Sequence, residues 1–179
     1  FHTSQLALGG RRFEDPKAAS ATEQALVALQ KKAQLPVPSS FYAVLLMDGD
    51  SLGSQMSDMT KQTAISLALQ QFTTAAPKIV AEHSGFLIYV GGDDLLAFTP
   101  VDHAVACAAE LRNYYANCFR QQNDKLKSPG HIQTSLSAAI NFAHIKVPLT
   151  SILGDSHQLL DSIAKDLTGR DALAIRVHK

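Results

Sequence analysis

The chain has 179 residues, which is enough for one compact domain with a buried core and a short additional segment. Apolar residues make up 46% of the chain and charged residues 18%, a composition typical of folded proteins rather than disordered ones. The 16 basic and 16 acidic residues give a formal net charge of zero, which argues against a domain that holds long nucleic acid through its own basic surface.

The first predicted element is a helix that begins at Asp15-Pro16. It ends before the prolines of residues 35–38, which predict an extended linker. We assign residues 1–40 to this N-terminal helix and linker, and residues 41–179 to the main domain. Residues 42–47 form a continuous apolar run between polar residues, which indicates a central strand covered on both faces.

The predicted elements that follow alternate between helices and strands. Apolar residues recur at the helical period from Ile65 to Val80 and predict a long amphipathic helix. The apolar runs 86–90 and 95–98 flank Gly91-Gly92-Asp93-Asp94, a pattern that predicts a hairpin with these four residues as its turn. The remaining predictions are a helix over 104–119, an exposed loop over 121–130, a strand over 134–142, a helix over 159–167 that Gly169 terminates, and a strand over 173–177.

This order of elements predicts the fold class. Strand, helix, strand, strand, helix, strand is the split βαβ pattern of ferredoxin-like domains, with a further helix and strand at the end. We therefore expect an α/β domain of the α+β kind, with an antiparallel sheet and helices on one face.

Four aspartates lie at the ends of two predicted strands. Asp48 and Asp50 follow the first strand, and Asp93 and Asp94 lie in the hairpin turn. If the hairpin's first strand lies beside residues 42–47, both pairs meet at one edge of the sheet. Crowded carboxylates require cations, and Mg²⁺ or Mn²⁺ prefers oxygen ligands and can act in pairs in phosphoryl transfer. We predict a metal-dependent nucleotidyl-transfer site with all four aspartates as catalytic residues and metal ligands.

Glycines and basic residues complete the predicted site. Gly49, Gly91 and Gly92 allow the backbone to approach a nucleotide closely. Lys165 and Arg170, at the end of the third main-domain helix and just after it, could bind phosphates. Basic residues at that position also complement a helix dipole, so both interpretations stay open. Asp-Gly pairs are common in ordinary turns as well, and the functional prediction depends on two motifs occurring at related strand ends.

Several other classes of protein are not supported. Cys107 and Cys118 lie outside any metal-binding spacing and indicate reduced thiols in a cytoplasmic protein. No apolar run reaches the length of a membrane span, and the first residues do not resemble a secretory leader. We therefore expect a cytoplasmic protein without membrane contact.

The segments Ala-Val-Leu-Leu-Met-Asp-Gly-Asp (43–50) and Gly-Phe-Leu-Ile-Tyr-Val-Gly-Gly-Asp-Asp-Leu-Leu-Ala-Phe (85–98) resemble the large polymerase/cyclase-like subunit of type III CRISPR effector complexes, with the III-B form closest. The likeness continues through residues 134–140, 144–149 and 164–170. It implies a palm domain that uses ATP with Mg²⁺ or Mn²⁺ to make cyclic oligoadenylate when the complex binds target RNA. The implied partners are ATP, the other effector subunits, a companion palm domain, and guide and target RNA.

The resemblance also implies roles for individual residues. Asp48 and Asp93 would be the main metal ligands, assisted by the carboxylates of Asp50 and Asp94 and the backbone carbonyl of Gly49. Ser137 and Lys165 would lie near the triphosphate.

The sequence departs from related families in two respects. Arg170 follows Lys165 by five positions, one more than in diguanylate cyclases, whose motif is Gly-Gly-Asp/Glu-Glu-Phe; this disfavours diguanylate chemistry. The full-length CRISPR subunit is much longer, so we expect this chain to be an excised palm. The alternatives are a stand-alone homodimeric cyclase that makes a cyclic dinucleotide, and a nucleotide-binding scaffold palm without activity.

Overall fold

The computed structural model describes residues 16–32, 39–126 and 130–178. The chain divides into two compact units, Phe1–Ser40 and Phe41–Lys179. In the first unit, helix α1 spans Pro16–Lys32, with basic residues in its last turn where they complement the helix dipole. Asp15 at the predicted helix start and the predicted linker at residues 35–38 lie outside the described residues.

The second unit contains a five-stranded sheet in the order β2-β3-β1-β4-β5. Neighbouring strands are antiparallel except β4 and β5, which are parallel. A π-helical segment, Leu159–Leu167, directly follows the last α-helix, Leu149–Gln158. The elements are β1 (Phe41–Gly49), α2 (Met59–Glu82), β2 (Phe86–Gly91), β3 (Asp94–Thr99), α3 (Ala104–Asn123), β4 (Leu136–His144), α4 (Leu149–Gln158) and β5 (Leu173–Val177).

Helices cover both faces of this sheet. Leu45 and Met47 of β1 belong to the large buried cluster formed with α2 and α3. Leu46 belongs to a second cluster with side chains of the π-helical segment, and Val44 to a third with Ile152 of α4. The predicted fold class is confirmed, but the expectation of helices on one face is wrong. The reason is that β1 is apolar on both faces, as its predicted central position required, and each face needs a cover.

The hairpin is placed differently from the sequence-based expectation. Its second strand, β3, pairs with β1, with Met47 opposite Leu95, whereas β2 lies at the outer edge. Because β2 is antiparallel to β3, it still runs in the same direction as β1. The end of β1 and the hairpin turn therefore meet at one edge of the sheet, as the split βαβ arrangement requires. We call this edge the acidic edge.

Two predicted boundaries also differ. Helix α3 continues to Asn123, so the predicted exposed loop begins later, and Gln122 is buried. Asn123 holds the following extended segment, because its amide accepts from the Ile132 backbone N–H at 2.7 Å and donates to the Ile132 carbonyl at 2.9 Å. The sequence analysis predicted a helix that begins at residue 159, whereas the structure is already helical from Leu149, where α4 begins. No helix in the described ranges is long and apolar enough to cross a membrane.

Candidate active site at the acidic edge

The hairpin turn touches the end of β1 at Gly49. A Cβ atom on Gly49 would lie 2.5 Å from Oδ2 of Asp93 and 2.8 Å from the hydroxyl of Tyr115. Real Cβ atoms do not approach so closely, so only glycine allows the Asp93 carboxylate to occupy this position. The two aspartate motifs, more than 40 residues apart in the sequence, therefore converge as predicted.

Asp48 forms a salt bridge with Lys165 of the π-helical segment. The lysine side chain is 14% exposed and that of Asp48 30%, so this pair is partly shielded from water. Burial lowers the pKa of Lys165, and neighbouring Arg170 lowers it further, whereas the contact with Asp48 favours the charged ammonium. Lys165 thus supplies a positive charge directly at the acidic edge.

Lys165 lies near the end of the π-helical segment. The Thr168 N–H donates to the carbonyl of Ile163, five residues earlier, at 3.0 Å. A π-helical turn accommodates one more residue than an α-helical turn, and such turns often occur at functional sites. Lys165 from this segment and Arg170 from the turn that follows it both reach the acidic edge.

Asp50 is buried, with only 2% of its surface exposed, and its carboxylate accepts hydrogen bonds from three residues. Ser135 donates to Oδ2 at 2.6 Å, Ser137 donates to both oxygens at 2.9 and 3.0 Å, and the Asp171 N–H donates to Oδ2 at 3.2 Å. The carboxylate that was expected to ligate metal thus already accepts hydrogen bonds from neighbouring residues, and metal ligation by Asp50 stays a prediction. Ser137, expected near the triphosphate, is completely buried and contacts Asp50; its role toward the triphosphate stays a prediction.

Arg170 lies beside Asp50 on the turn that precedes β5. Its Nε is 3.8 Å from Oδ1 of Asp50, and its side chain is about half exposed. The next residue, Asp171, accepts two hydrogen bonds from Arg112 of α3. Arg170 is therefore brought to the acidic edge, as expected of a residue that could contact phosphate.

Asp93 and Asp94 contrast with the other two aspartates, because no salt bridge joins them to a basic residue in the described ranges. Burial raises the pKa of Asp93, and the charges of Asp94 and Asp50 raise it further. Burial also raises the pKa of Tyr89, which hydrogen-bonds to Asp94. The hairpin turn therefore holds negative charge that is incompletely compensated.

The remaining predicted glycines belong to the hairpin. Gly92 has φ +66°, a left-handed conformation that glycine adopts easily, and its Cβ direction is open. A Cβ on Gly91 would lie 3.4 Å from the ring of Tyr89, which is an ordinary contact. Gly92 thus meets a backbone requirement of the turn, whereas Gly91 has no such steric need.

The structure adds residues that the sequence analysis did not select. The hydroxyl of Tyr115 hydrogen-bonds to the Thr134 hydroxyl at 3.1 Å. Thr134 in turn donates to the backbone carbonyl of Asp50 at 2.7 Å, which links Tyr115 to the acidic edge. Burial raises the pKa of Tyr115, and the charges of Asp93 and Asp50 act in the same direction. The spacing of Ser135 and Ser137 was an available signal, since alternate residues of an extended chain lie on one face.

No ready-made metal cage exists in the parts of the chain that the structure describes, since no three histidine, cysteine or carboxylate side chains converge on one point. Mg²⁺ usually takes one or two protein carboxylates and completes its shell with substrate phosphates and water. Asp93 beside Gly49 and Asp48 beside Lys165 both supply carboxylates at the acidic edge.

Comparison with known proteins identifies the family. The protein-family model for the Cas10/Cmr2 second palm domain matches residues 41–174. The CRISPR system Cmr subunit Cmr2 of Pyrococcus furiosus is 35% identical over 170 residues, which cover 79% of this chain and 19% of that protein. The chain thus spans about a fifth of the length of this relative.

Solved structures share the fold. A Csm1–Csm4 cassette in complex with cA4 superposes with a TM-score of 0.56 at 17% identity, over 78% of this chain and 21% of that one. The cassette in complex with one ATP gives 0.54 at 18% identity, over 74% and 20%. The GGEEF domain of a Vibrio cholerae diguanylate cyclase gives 0.53 at 18% identity, over 87% and 92%. The resemblance to the type III CRISPR subunit is confirmed, and the chain belongs to the Cas10/Cmr2 family, in which it corresponds to the second palm domain.

Proposed function

We propose that this palm carries out metal-dependent nucleotidyl transfer and converts ATP to cyclic oligoadenylate as the catalytic palm of a type III CRISPR effector subunit. The observation that carries the proposal is the contact of the Asp93 carboxylate with Gly49, which brings Asp93 to the end of the strand that presents Asp48. Two cations, Lys165 and Arg170, lie at the same edge. Carboxylates and phosphate-binding cations side by side fit a nucleoside triphosphate with its metal ion.

The carboxylates would hold Mg²⁺ or Mn²⁺. Asp48 and Asp93 are the proposed ligands, with Asp94 and the backbone carbonyl of Gly49 in assisting roles. When bound, such an ion neutralises phosphate charge and polarises the phosphoryl oxygens. The raised pKa of Asp93 supports this role, because uncompensated negative charge at the hairpin favours a cation.

The basic residues would orient the triphosphate. Lys165 is mostly buried at the edge and can exchange its contact with Asp48 for a phosphate oxygen. Arg170 offers several N–H donors in a planar fork that suits phosphate. Together they would hold the phosphate chain in one orientation, which in-line attack on the α-phosphate requires.

ATP is the proposed substrate because the Csm1–Csm4 cassette, which shares this fold, has been solved with ATP and with cA4. Joining two nucleotides also requires a second surface that presents the acceptor hydroxyl. We assign that surface to a companion palm domain, and the regulation of activity to the other effector subunits with guide and target RNA. The alternatives are a stand-alone homodimeric cyclase and an inactive nucleotide-binding palm.

Calorimetry with ATP and GTP in MgCl₂, together with a product assay over a protein dilution series, tests these proposals. We expect tighter binding of ATP than of GTP, and slow turnover whose specific rate falls on dilution, because two copies must meet. Tighter GTP binding would contradict the ATP assignment and favour a diguanylate-type cyclase. A stable dimer with full activity would favour the stand-alone cyclase, and ATP binding without product at any concentration would favour the inactive palm.

A further inference from the structure

The turn before β5 has a backbone conformation that needs external support. Gly169, Arg170 and Asp171 all have positive φ, at 85°, 75° and 50°. Glycine adopts this region freely, but for other residues it is costly and persists only where surrounding contacts hold it. Two consecutive non-glycine residues in this region imply a strong local constraint. We call residues 169–171 the strained turn.

Two groups hold Asp171 from opposite sides. Arg112 of α3 forms a two-pronged contact with its carboxylate, with Nε to Oδ1 at 2.9 Å and Nη2 to Oδ2 at 2.5 Å. The backbone N–H of Asp171 donates to the buried carboxylate of Asp50 at 3.2 Å. Asp50 is in turn fixed by the hydroxyls of Ser135 and Ser137. The strained turn is thus clamped between a helix and the end of the central strand.

Arg170 is the member of this turn that has capacity for a ligand. Its guanidinium makes no hydrogen bond to any described residue, and it lies 3.8 Å from Asp50, farther than a hydrogen bond. Arg112, by contrast, directs its Nε and Nη2 groups to Asp171. The two arginines are therefore suited to different tasks, one to fixing the turn and the other to binding an anion.

We propose that Arg112, Asp171 and Asp50 form a positioning network that presents the Arg170 guanidinium to the nucleotide phosphates, with Asp50 as its buried anchor and not as a metal ligand. The inference rests on the proposed nucleotide-binding function and assigns to Arg112 a role in that site. Arg112 and Asp171 are each 44% exposed, and exposed ion pairs contribute little to stability. The contribution of the network is thus to the geometry of the turn.

The test compares Arg112→Gln with Arg120→Gln in the 179-residue chain. Arg120 lies on the same helix, but its guanidinium hydrogen-bonds to Asn117 and to no described residue of the strained turn. We expect Arg112→Gln to weaken ATP binding about tenfold, in line with the loss of one well-placed charged hydrogen bond. Affinity for Mn²⁺ alone and the thermal midpoint should stay close to wild type, and Arg120→Gln should match wild type throughout. Arg112→Lys should behave as Arg112→Gln, because lysine lacks the two-pronged geometry.

A double-mutant cycle separates positioning from a general structural effect. If Arg112 acts through Arg170, the variant with both Arg112→Gln and Arg170→Gln should bind ATP within about twofold of Arg170→Gln alone. Two results would overturn the inference. One is a double variant whose loss of ATP affinity equals the product of the two single losses, and the other is an ATP affinity that Arg112→Gln leaves unchanged. A wild-type chain that binds Mn²⁺ but not ATP would contradict the proposed function itself, so the two failures are distinguishable.

Discussion

The hairpin turn, residues 91–94, and the strained turn, residues 169–171, reach the same edge of the sheet in opposite ways. In the hairpin a glycine takes the positive φ, and the two aspartates lack basic partners among the described residues. In the strained turn two non-glycine residues take positive φ, and Asp171 is tied to Arg112 and Asp50. The hairpin has a relaxed backbone with uncompensated charge, whereas the strained turn has compensated charge on a costly backbone.

The difference separates binding from positioning. Uncompensated carboxylates are destabilising until a cation arrives, so the hairpin is the part of the edge that gains most from a ligand. Backbone strain of about 1–3 kcal/mol per residue persists only where contacts enforce it, so the strained turn is a support that presents a neighbouring side chain. Three substitutions can break or sharpen this comparison.

Asp93→Asn should have the largest effect on binding. Removal of a proposed metal ligand should lower Mn²⁺ affinity by at least about a hundredfold. Loss of a residue that only hydrogen-bonds to a ligand lowers metal affinity by up to about that factor, and loss of the ligand itself should cost at least as much. Titration of Mn²⁺ into both proteins measures it, and Asp102→Asn, an exposed aspartate at 81% exposure, is the control. Equal Mn²⁺ affinity in wild type and Asp93→Asn would show that Asp93 is not a ligand.

The same variant has an expected signature in stability. The pKa of Asp93 is raised in the folded protein, so wild type loses stability as the pH rises from the ordinary aspartate value of 3.8 through the raised pKa. Asparagine does not ionise, and metal-free Asp93→Asn should lack this decline and be as stable as wild type or more stable at pH 7.5. Thermal unfolding of both proteins at pH 3.5 and 7.5, on either side of this range, measures the difference. A large loss of stability would indicate a structural role.

Lys165→Ala tests the cation between the two turns. We expect ATP affinity to fall about tenfold or more, because a charge-assisted hydrogen bond to phosphate is lost, whereas adenosine affinity should not change. Calorimetry with both ligands measures this. Lys78→Ala is the matched control, since Lys78 is 81% exposed on α2. Unchanged ATP affinity would leave Lys165 with the simpler role of a basic residue at a helix end.

Gly49→Ala tests the contact that joins the hairpin to β1, and its expected effect is on stability rather than on ligand binding. The added methyl group would collide with Asp93 and Tyr115, which should cost about 1–3 kcal/mol of unfolding free energy. Gly53→Ala is the control, because a Cβ at Gly53 meets no atom within 4 Å. Urea unfolding of both variants measures the difference. Equal stabilities would mean that the close approach is not maintained in solution.

The outcome of the sequence analysis follows from the range of each interaction. The apolar run of β1, the period of α2 and the glycine-aspartate turn are local patterns, and each predicts its element from neighbouring residues alone. The prediction that Asp48 and Asp93 lie at one edge of the sheet then followed from a general rule. Strands joined by a crossover helix run parallel, so their carboxyl ends lie at the same edge. The metal, nucleotide and cytoplasmic assignments stay predictions, because they concern molecules and surroundings that the fold does not specify.

The tertiary structure decided what lies between those elements. Ser137 contacts Asp50 across 87 positions of the sequence, and Arg112 contacts Asp171 across 59. Serines and arginines are common on any surface, and no local pattern distinguishes these from the rest. Which strand lies beside β1, and which face α4 covers, likewise depend on packing over the whole domain. The sequence by itself indicated that two pairs of aspartates gather at one edge of the sheet, and only long-range packing decided which basic and hydroxyl groups meet them, because a hydrogen bond depends on its partner's position in space.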